Sequence, residues 1–263
     1  MILDQILSHK RKELAQSKQE RPLETIKKKL SESRPAIRSL SAELQKKNKQ
    51  PHLICEMKKA SPSEGLLKEP FLPEQILFEF EKAGASAISV LTETKYFLGN
   101  AKIIQDLKPM GVKPILRKDF IVDEYQVYES RFIGADAILL IVSILTDEKL
   151  KNLYDLATEL GLEVLVEIHD PLELERAFAL HPKMIGINNR NLDTLQINLD
   201  HSLQLIRQIP AKVLKVVESG ISSHKDILKY QSGPVDGFLI GTVLMKSNNI
   251  TQTIYELKNG YPS

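Results

Sequence analysis

The stretch 53-LICEMKKASPSEG-65 is the one from which the rest of the chain can be read. Its first half alternates. Leu53, Cys55 and Met57 fall on one side of an extended strand, and Ile54, Glu56 and Lys58 on the other. An acid and a base thus share a face, which is costly on a buried strand unless the charges pair or do chemistry. A structural ion pair on an edge strand is the plainer alternative. The strand runs into Ala60-Ser61-Pro62-Ser63-Glu64-Gly65, a loop with two hydroxyls and a backbone break. In parallel α/β folds, ligands meet the protein at such C-terminal strand ends.

From this strand onward a pattern repeats. Aliphatic runs at 53–58, 87–92, 114–119, 137–142, 163–168, 184–188, 213–218 and 237–241 read as strands. Amphipathic stretches at 73–83, 101–108, 124–133, 147–160, 172–180, 200–208, 223–231 and 243–258 read as the helices between and after them. Gly84, Gly111, Gly134 and Gly161 each precede a strand, as expected of αβ turns. Eight βα units in about 210 residues predict an α/β fold of the (β/α)8 TIM-barrel type. A doubly wound open sheet is the alternative, but no G-x-G-x-x-G opens any helix. Two further amphipathic helices are predicted at 2–16 and 22–31, followed by a polar connector over 32–52. Residues 1–50 are therefore expected to form an N-terminal helical extension, and residues 51–263 the catalytic barrel, with no further domain after the eighth helix.

The composition fits a soluble globular chain: 263 residues, 42% hydrophobic and 27% charged. No apolar run approaches the roughly 18 residues of a membrane span, and the first residues do not have the layout of a secretory signal. One cysteine, Cys55, excludes an intrachain disulfide and a Cys-rich metal site. A cytoplasmic protein is expected. Residues 1–50 hold 13 of the 36 Lys/Arg but 6 of the 34 Asp/Glu, so the remainder is mildly acidic. These basic residues interleave with Leu and Ile at helical spacing and lack aromatics to stack on bases, so they read as a solvated helix face. A basic helix beside an anionic small-molecule site is a further option. No nucleic-acid or membrane partner is expected.

At the C-terminal strand ends the polar residues are Glu56, Lys58 and Ser61; Thr92 and Glu93; Lys118 and Asp119; Glu167; Asn188, Asn189 and Arg190; Glu218, Ser219 and Gly220; and Gly241 with Thr242. Small residues after the seventh and eighth strands, each leading into a helix, match the common phosphate site of barrels, where backbone N–H groups face the anion. Turn-filling glycine is the bland reading of either loop alone. Two lysines, two glutamates and an asparagine converge from four strands, a set suited to proton transfer on a carbon skeleton, with no metal or cofactor required. No Ser-His-Asp arrangement is visible. His169 reads as structural and turned away from Glu167. A Schiff-base lysine at Lys58 or Lys118 stays open.

The segments CEMKKASPSEG, SVLTETKYFLG, PILRKDFIVDEYQV, EVLVEIHD, IGINNRNL, VESGI and LIGTVLM together resemble the indole-3-glycerol-phosphate synthase family, in order from residue 53 to the C-terminus. The resemblance implies ring closure of 1-(2-carboxyphenylamino)-1-deoxyribulose 5-phosphate with loss of CO₂ and water. It implies Lys118 as general acid at the ketone oxygen and Glu167 as stabiliser of the developing ring cation. Lys58 would hold the substrate carboxylate and act in the dehydration, with Glu56 as its matching base. Asn188 would bind substrate hydroxyls and orient Glu56, and Arg190 would brace the cluster. Ser61, Ser219, Gly220, Gly241 and Thr242 would cradle the phosphate, and Phe97, Phe120, Leu139 and Leu192 would wall the aromatic ring. Lys58 and Lys118, close together, are expected to lower each other's pKa, opposed by Glu56 and Glu167. Thr242 and Lys59 stand where the family more often has serine and arginine, keeping hydroxyl and charge. The alternatives are a phosphoribosylanthranilate isomerase-like barrel, for which Cys55 is poorly placed, and a non-catalytic binding barrel. A monomer is expected, a weak homodimer being the other option, and the first helix is expected to act as a lid or brace.

Overall fold

The structure, a computed structural model, describes residues 2–47, 50–191, 194–231 and 233–260. Eight parallel strands close into a barrel: β1 (Leu53–Met57), β2 (Ala87–Leu91), β3 (Ile115–Lys118), β4 (Ala137–Ile141), β5 (Glu163–Ile168), β6 (Met184–Asn188), β7 (Leu214–Glu218) and β8 (Gly237–Ile240). Each strand pairs with its neighbours in sequence, and β8 returns to β1 with Leu53 opposite Phe238. The predicted runs match these strands to within a residue at either end. The βα crossovers put helices outside the sheet, which is why both faces of the strands are buried.

The two-residue period sorts the side chains into two cores. Leu53, Cys55 and Met57 join the layer between sheet and helices. Ile54, Leu116, Leu139, Leu165, Met184, Val216 and Leu239 fill the barrel interior. Following the inward positions upward, each of five strands ends its series in a polar residue: Glu56, Lys118, Glu167, Asn188 and Glu218. The interior is thus oily below and charged at the C-terminal rim.

The N-terminal segment seals both ends. Helix α1 (Ile2–Glu20) lies over the C-terminal mouth, with Ile6 buried in the interior cluster and Ile2, Leu3 and Leu7 packed against it. Helix α2 (Leu23–Glu32) rests on the outside through Ile26 and Leu30 against Tyr125, whose hydroxyl donates to the carbonyls of Ser17 at 2.9 Å and Arg21 at 3.0 Å. The stretch expected to be a mere connector contains a third helix, α3 (Leu40–Leu44), which plugs the barrel floor with Leu40 and Leu44. Ser39 caps it, accepting from the Ala42 amide, and the Ser41 amide donates to Glu163 at 2.9 Å. Arg38 donates to the carbonyls of Lys108 at 2.9 Å and Lys113 at 3.2 Å. Gly237 accommodates the plug: a Cβ there would sit 2.9 Å from Leu44 Cδ2.

Outside the barrel run α4 (Pro73–Lys82), α5 (Lys102–Leu107), α6 (Glu124–Phe132), α7 (Asp147–Glu159), α8 (Pro171–Phe178), α9 (Leu199–Ile206) and α10 (His224–Leu228). The last predicted helix is broken in two, α11 (Thr242–Lys246) and α12 (Ile250–Asn259). The break has a local cause: Asn249 turns extended and caps α12, its side chain accepting from the Gln252 amide at 3.0 Å. Among the described residues no helix is long and apolar enough to cross a membrane. Leu40→Ala, which opens a cavity in the floor plug, is expected to cost about 2–5 kcal/mol in denaturant unfolding, with little change in turnover of the folded protein.

Candidate active site

A cleft opens at the C-terminal mouth beneath α1. It is lined by Glu56, Lys58, Ser61, Phe97, Lys118, Phe120, Leu139, Glu167, Asn188, Arg190, Ser219, Gly220, Gly241 and Thr242, all of them expected site residues. Leu192, the remaining one, lies outside the described residues. Ile2, Leu3 and Ile6 of α1 complete the wall.

Two ion-paired groups face each other across the cleft. Lys58 Nζ lies 2.6 Å from Glu56 Oε1. Lys118 Nζ lies 2.9 Å from Glu167 Oε2 and 3.3 Å from Glu218 Oε2. Asn188 donates to Glu167 Oε1 at 3.0 Å, so it orients Glu167 and not Glu56 as the resemblance implied. Arg190 braces this group through its backbone, its N–H meeting Asn188 Oδ1 at 3.0 Å, while its guanidinium is held by the Leu195 carbonyl.

Glu218 is the residue that sequence reasoning left without a role. It shares inward parity with Leu214 and Val216, which was the available signal. Both its carboxylate oxygens are buried and, among the described residues, answered only by the Lys118 ammonium at 3.3 Å from Oε2. Space for it is made by Gly186, where a Cβ would come within 2.1 Å of Glu218 Oε1. Gly241 does the same for Glu56, with a virtual Cβ 2.3 Å from Oε1. Gly241 therefore serves the carboxylate as well as the loop that the sequence assigned to an anion.

The electrostatics differ from expectation in one respect. Burial alone would make Lys118 more acidic, but Glu167, Glu218 and Glu56 outweigh it and raise its pKa above the ordinary lysine value. Lys118 is thus held as an ammonium by its flanking carboxylates. The expected mutual lowering by Lys58 does not govern it; the charges of three carboxylates do. Burial would likewise raise Glu167, yet the charges of Lys118 and His169 and the Asn188 hydrogen bond hold it below the usual range. Glu218 goes the other way, pushed up by burial and by the neighbouring Glu167 charge. One of two adjacent carboxylates thus keeps its charge while the other is biased toward holding a proton.

His169 is a second correction. Residues two apart on a strand share a face, and its Nε2 lies 3.4 Å from Glu167 Oε1, toward Glu167 and not away from it. The basic face of α1 holds a third: Lys10 is buried and bridges Glu13 and Asp119, at 2.8 Å each, beside Lys118. Cys55, by contrast, faces the outer layer as expected, its thiol pushed up to about 12 by burial.

The loops after β7 and β8 frame one end of the cleft. Ser219 and Gly220 both have left-handed backbones, at φ 65° and 83°. Glycine is required at position 220, since a Cβ would meet Ile197 Cγ2 at 2.6 Å. Ser61 follows β1, the strand paired with β8, and its buried Oγ has no hydrogen-bond partner among the described residues. Phe97 and Phe120 stand 6.2 Å apart at a tilt of 41° and give the cleft an aromatic wall. One trio, His9, Glu13 and Glu93, brings possible metal-ligand atoms within 4.8 Å of one another, away from the cleft. Lys10 already neutralises Glu13, and the amides of Lys95, Tyr96 and Phe97 occupy Glu93, so the trio fastens α1 to the loop after β2.

Such a site, acids and bases around an aromatic wall at the top of a closed parallel barrel, defines a (β/α)8-barrel enzyme that moves protons on an organic skeleton. Solved structures agree on the fold. A 3-hexulose-6-phosphate synthase from Salmonella typhimurium aligns with a TM-score of 0.62 at 15% identity, over 78% of this chain and 96% of its own. A mutant tryptophan synthase alpha-subunit from Pyrococcus furiosus aligns at 0.61 and 14% identity, over 79% and 98%. Sequence comparison identifies the family. The indole-3-glycerol phosphate synthase family model matches residues 3–257. An indole-3-glycerol phosphate synthase from Thermoanaerobacter pseudethanolicus is 44% identical over 99% of this chain and 100% of its own, and one from Polaromonas sp. is 43% identical over 94% of each. The chain belongs to the indole-3-glycerol phosphate synthase family, decarboxylating lyases of tryptophan biosynthesis.

Gly186→Ala is expected to force the Glu218 carboxylate out of ion-pair reach of Lys118. A crystal structure of the variant would show the rotation, and overpacking would cost about 1–3 kcal/mol of stability.

Proposed function

We propose that this chain converts 1-(2-carboxyphenylamino)-1-deoxyribulose 5-phosphate to indole-3-glycerol phosphate, CO₂ and water. The ring carbon that bears the carboxylate attacks the ketone carbon, and the ketone oxygen takes a proton from Lys118. Glu167 faces the cationic ring that results, an electrostatic contribution made only as charge develops. Loss of CO₂ restores the aromatic ring. The new hydroxyl then leaves as water with a proton from Lys58, while Glu56 accepts the proton removed from the substrate. Asn188 and Arg190 hold Glu167 and the substrate hydroxyls.

The phosphate is assigned to Ser61 and to the Ser219-Gly220 and Gly241-Thr242 loops, whose small residues let backbone N–H groups approach an anion. Phe97, Phe120 and Leu139, with Leu192, are assigned to the aromatic ring. The observation that carries the reading is Lys118, facing the cleft while held 2.9 Å from Glu167. A lysine kept charged by flanking carboxylates arrives at the ketone as the donor, and its proton is released when the developing alkoxide competes for it. We place the protein in the cytoplasm as a monomer, with residues 1–50 as an extension whose first helix closes over bound substrate.

The decisive assay is fluorescence detection of the indole product from purified protein. Wild type is expected to be active and Lys118→Ala to lose about 10²–10⁴ of turnover; a folded but silent wild type would overturn the assignment. Removing residues 1–20 is expected to raise KM by exposing the cleft to water. Unchanged KM and kcat in that truncated protein would reject the lid.

A further inference from the structure

His169 follows β5 directly, and the chemistry above gives its side chain no role. Its Nδ1 lies 3.1 Å from Oε2 of Glu173, which also accepts the His169 backbone N–H at 2.8 Å. The start of α8 puts Glu173 there. Asp170 caps the helix by accepting from the Glu173 amide at 2.8 Å, and the Glu173 carboxylate folds back onto the preceding turn. On the other side of the ring, Nε2 faces Glu167 Oε1 at 3.4 Å and has no hydrogen-bond partner. The imidazole is mostly buried, and it lies behind Glu167 instead of lining the cleft.

Proton counting restricts the state of this ring. A neutral imidazole that donates from Nδ1 to Glu173 would turn its Nε2 lone pair toward the Glu167 carboxylate, and two acceptors would face each other. Carboxylates on both ring nitrogens fit the imidazolium, which has a proton on each side. The other groups around it agree. Glu218 of β7 adds its charge and Asp170 begins α8, while Lys118 of β3 is engaged by Glu167 and Glu218. The ring of His201 on α9 meets the His169 carbonyl, not its imidazole. Burial lowers the His169 pKa, but the Glu173 hydrogen bond and the charges of Glu167, Glu173 and Glu218 raise it above the ordinary histidine value.

We propose that His169 is a positioning residue, held as imidazolium by Glu173 and aimed at Glu167 so that this carboxylate stays ionised and fixed beside Lys118. Glu167 must keep its charge in order to face a cationic ring, and a buried carboxylate beside a second one keeps it only where cations stand close. Lys118 is one such cation and His169 is the other. The proposal rests on the reaction assigned above only for its kinetic test.

The test measures kcat and KM against pH for wild type, His169→Asn and Glu173→Gln. In His169→Asn the acidic limb of kcat, set by protonation of Glu167, is expected to move to higher pH by about one unit. Glu173→Gln should move it less in the same direction, because the amide oxygen still accepts from Nδ1. KM should stay unchanged in both. An acidic limb that does not move, even with lowered kcat, would mean a purely structural histidine and overturn the proposal.

A second readout needs no turnover. NMR titration of the His169 ring is expected to give a midpoint above that of an ordinary histidine, falling in both Glu173→Gln and Glu167→Gln. A midpoint at or below the ordinary value overturns the proposal. If the protein makes no indole product, only the assigned reaction fails, and the titration still decides the coupling of Glu173, His169 and Glu167.

Discussion

The constraint on which this structure depends is the burial of charge inside a closed sheet. Glu56, Glu167 and Glu218 project into the barrel from three strands, and each is at most 4% exposed. An isolated buried carboxylate is prohibitively costly, so each must find a cation, a donor or a proton. Lys58 answers Glu56, and Lys118 is shared by Glu167 and Glu218. The glycines follow from the same demand. Gly186 and Gly241 give up their side chains so that two carboxylates can lie flat against the sheet. A pairing that leaves one acid short of a full partner is poor economy for a core. It is what a site needs if charge is to appear on a ligand.

Much of this was legible in advance, for a reason of period. A parallel strand covered on both faces leaves runs of aliphatic residues broken only where something else is required. In 163-EVLVEI-168 the break at Glu167 marks the rim, and in 53-LICEM-57 the break at Glu56 does the same. Strand parity then assigns every inward residue once one is known. The same arithmetic would have put His169 on the Glu167 side and Glu218 into the cleft. Glu218 is already at the rim by that reading and lacks only a role, whereas the placement of His169 runs against its own parity.

Other features were beyond a reading by period. Helix α3 is five residues long, too short for a 3.6-residue repeat to declare itself, and its Leu40 and Leu44 look like stray apolar residues in a Lys/Gln-rich stretch. The buried Lys10 reads as one more solvated cation, because only the fold brings Asp119 to it across more than a hundred residues. Tertiary partners decide such positions, and a single sequence does not name them. The break before α12 was signalled by Ser247-Asn248-Asn249, a capping cluster inside an otherwise helical pattern.

The floor plug has a consequence for how the chain comes together. Leu44 rests against Gly237 at the start of β8, so a helix made from the earliest residues docks onto the last strand of the barrel. On a ribosome that docking surface does not exist until the eighth strand has been made. The leading segment must wait, apolar side out, while the strands it will cork are still being made. Its seating reports that the ring has closed, and it makes an element that precedes every barrel strand wait for the last of them.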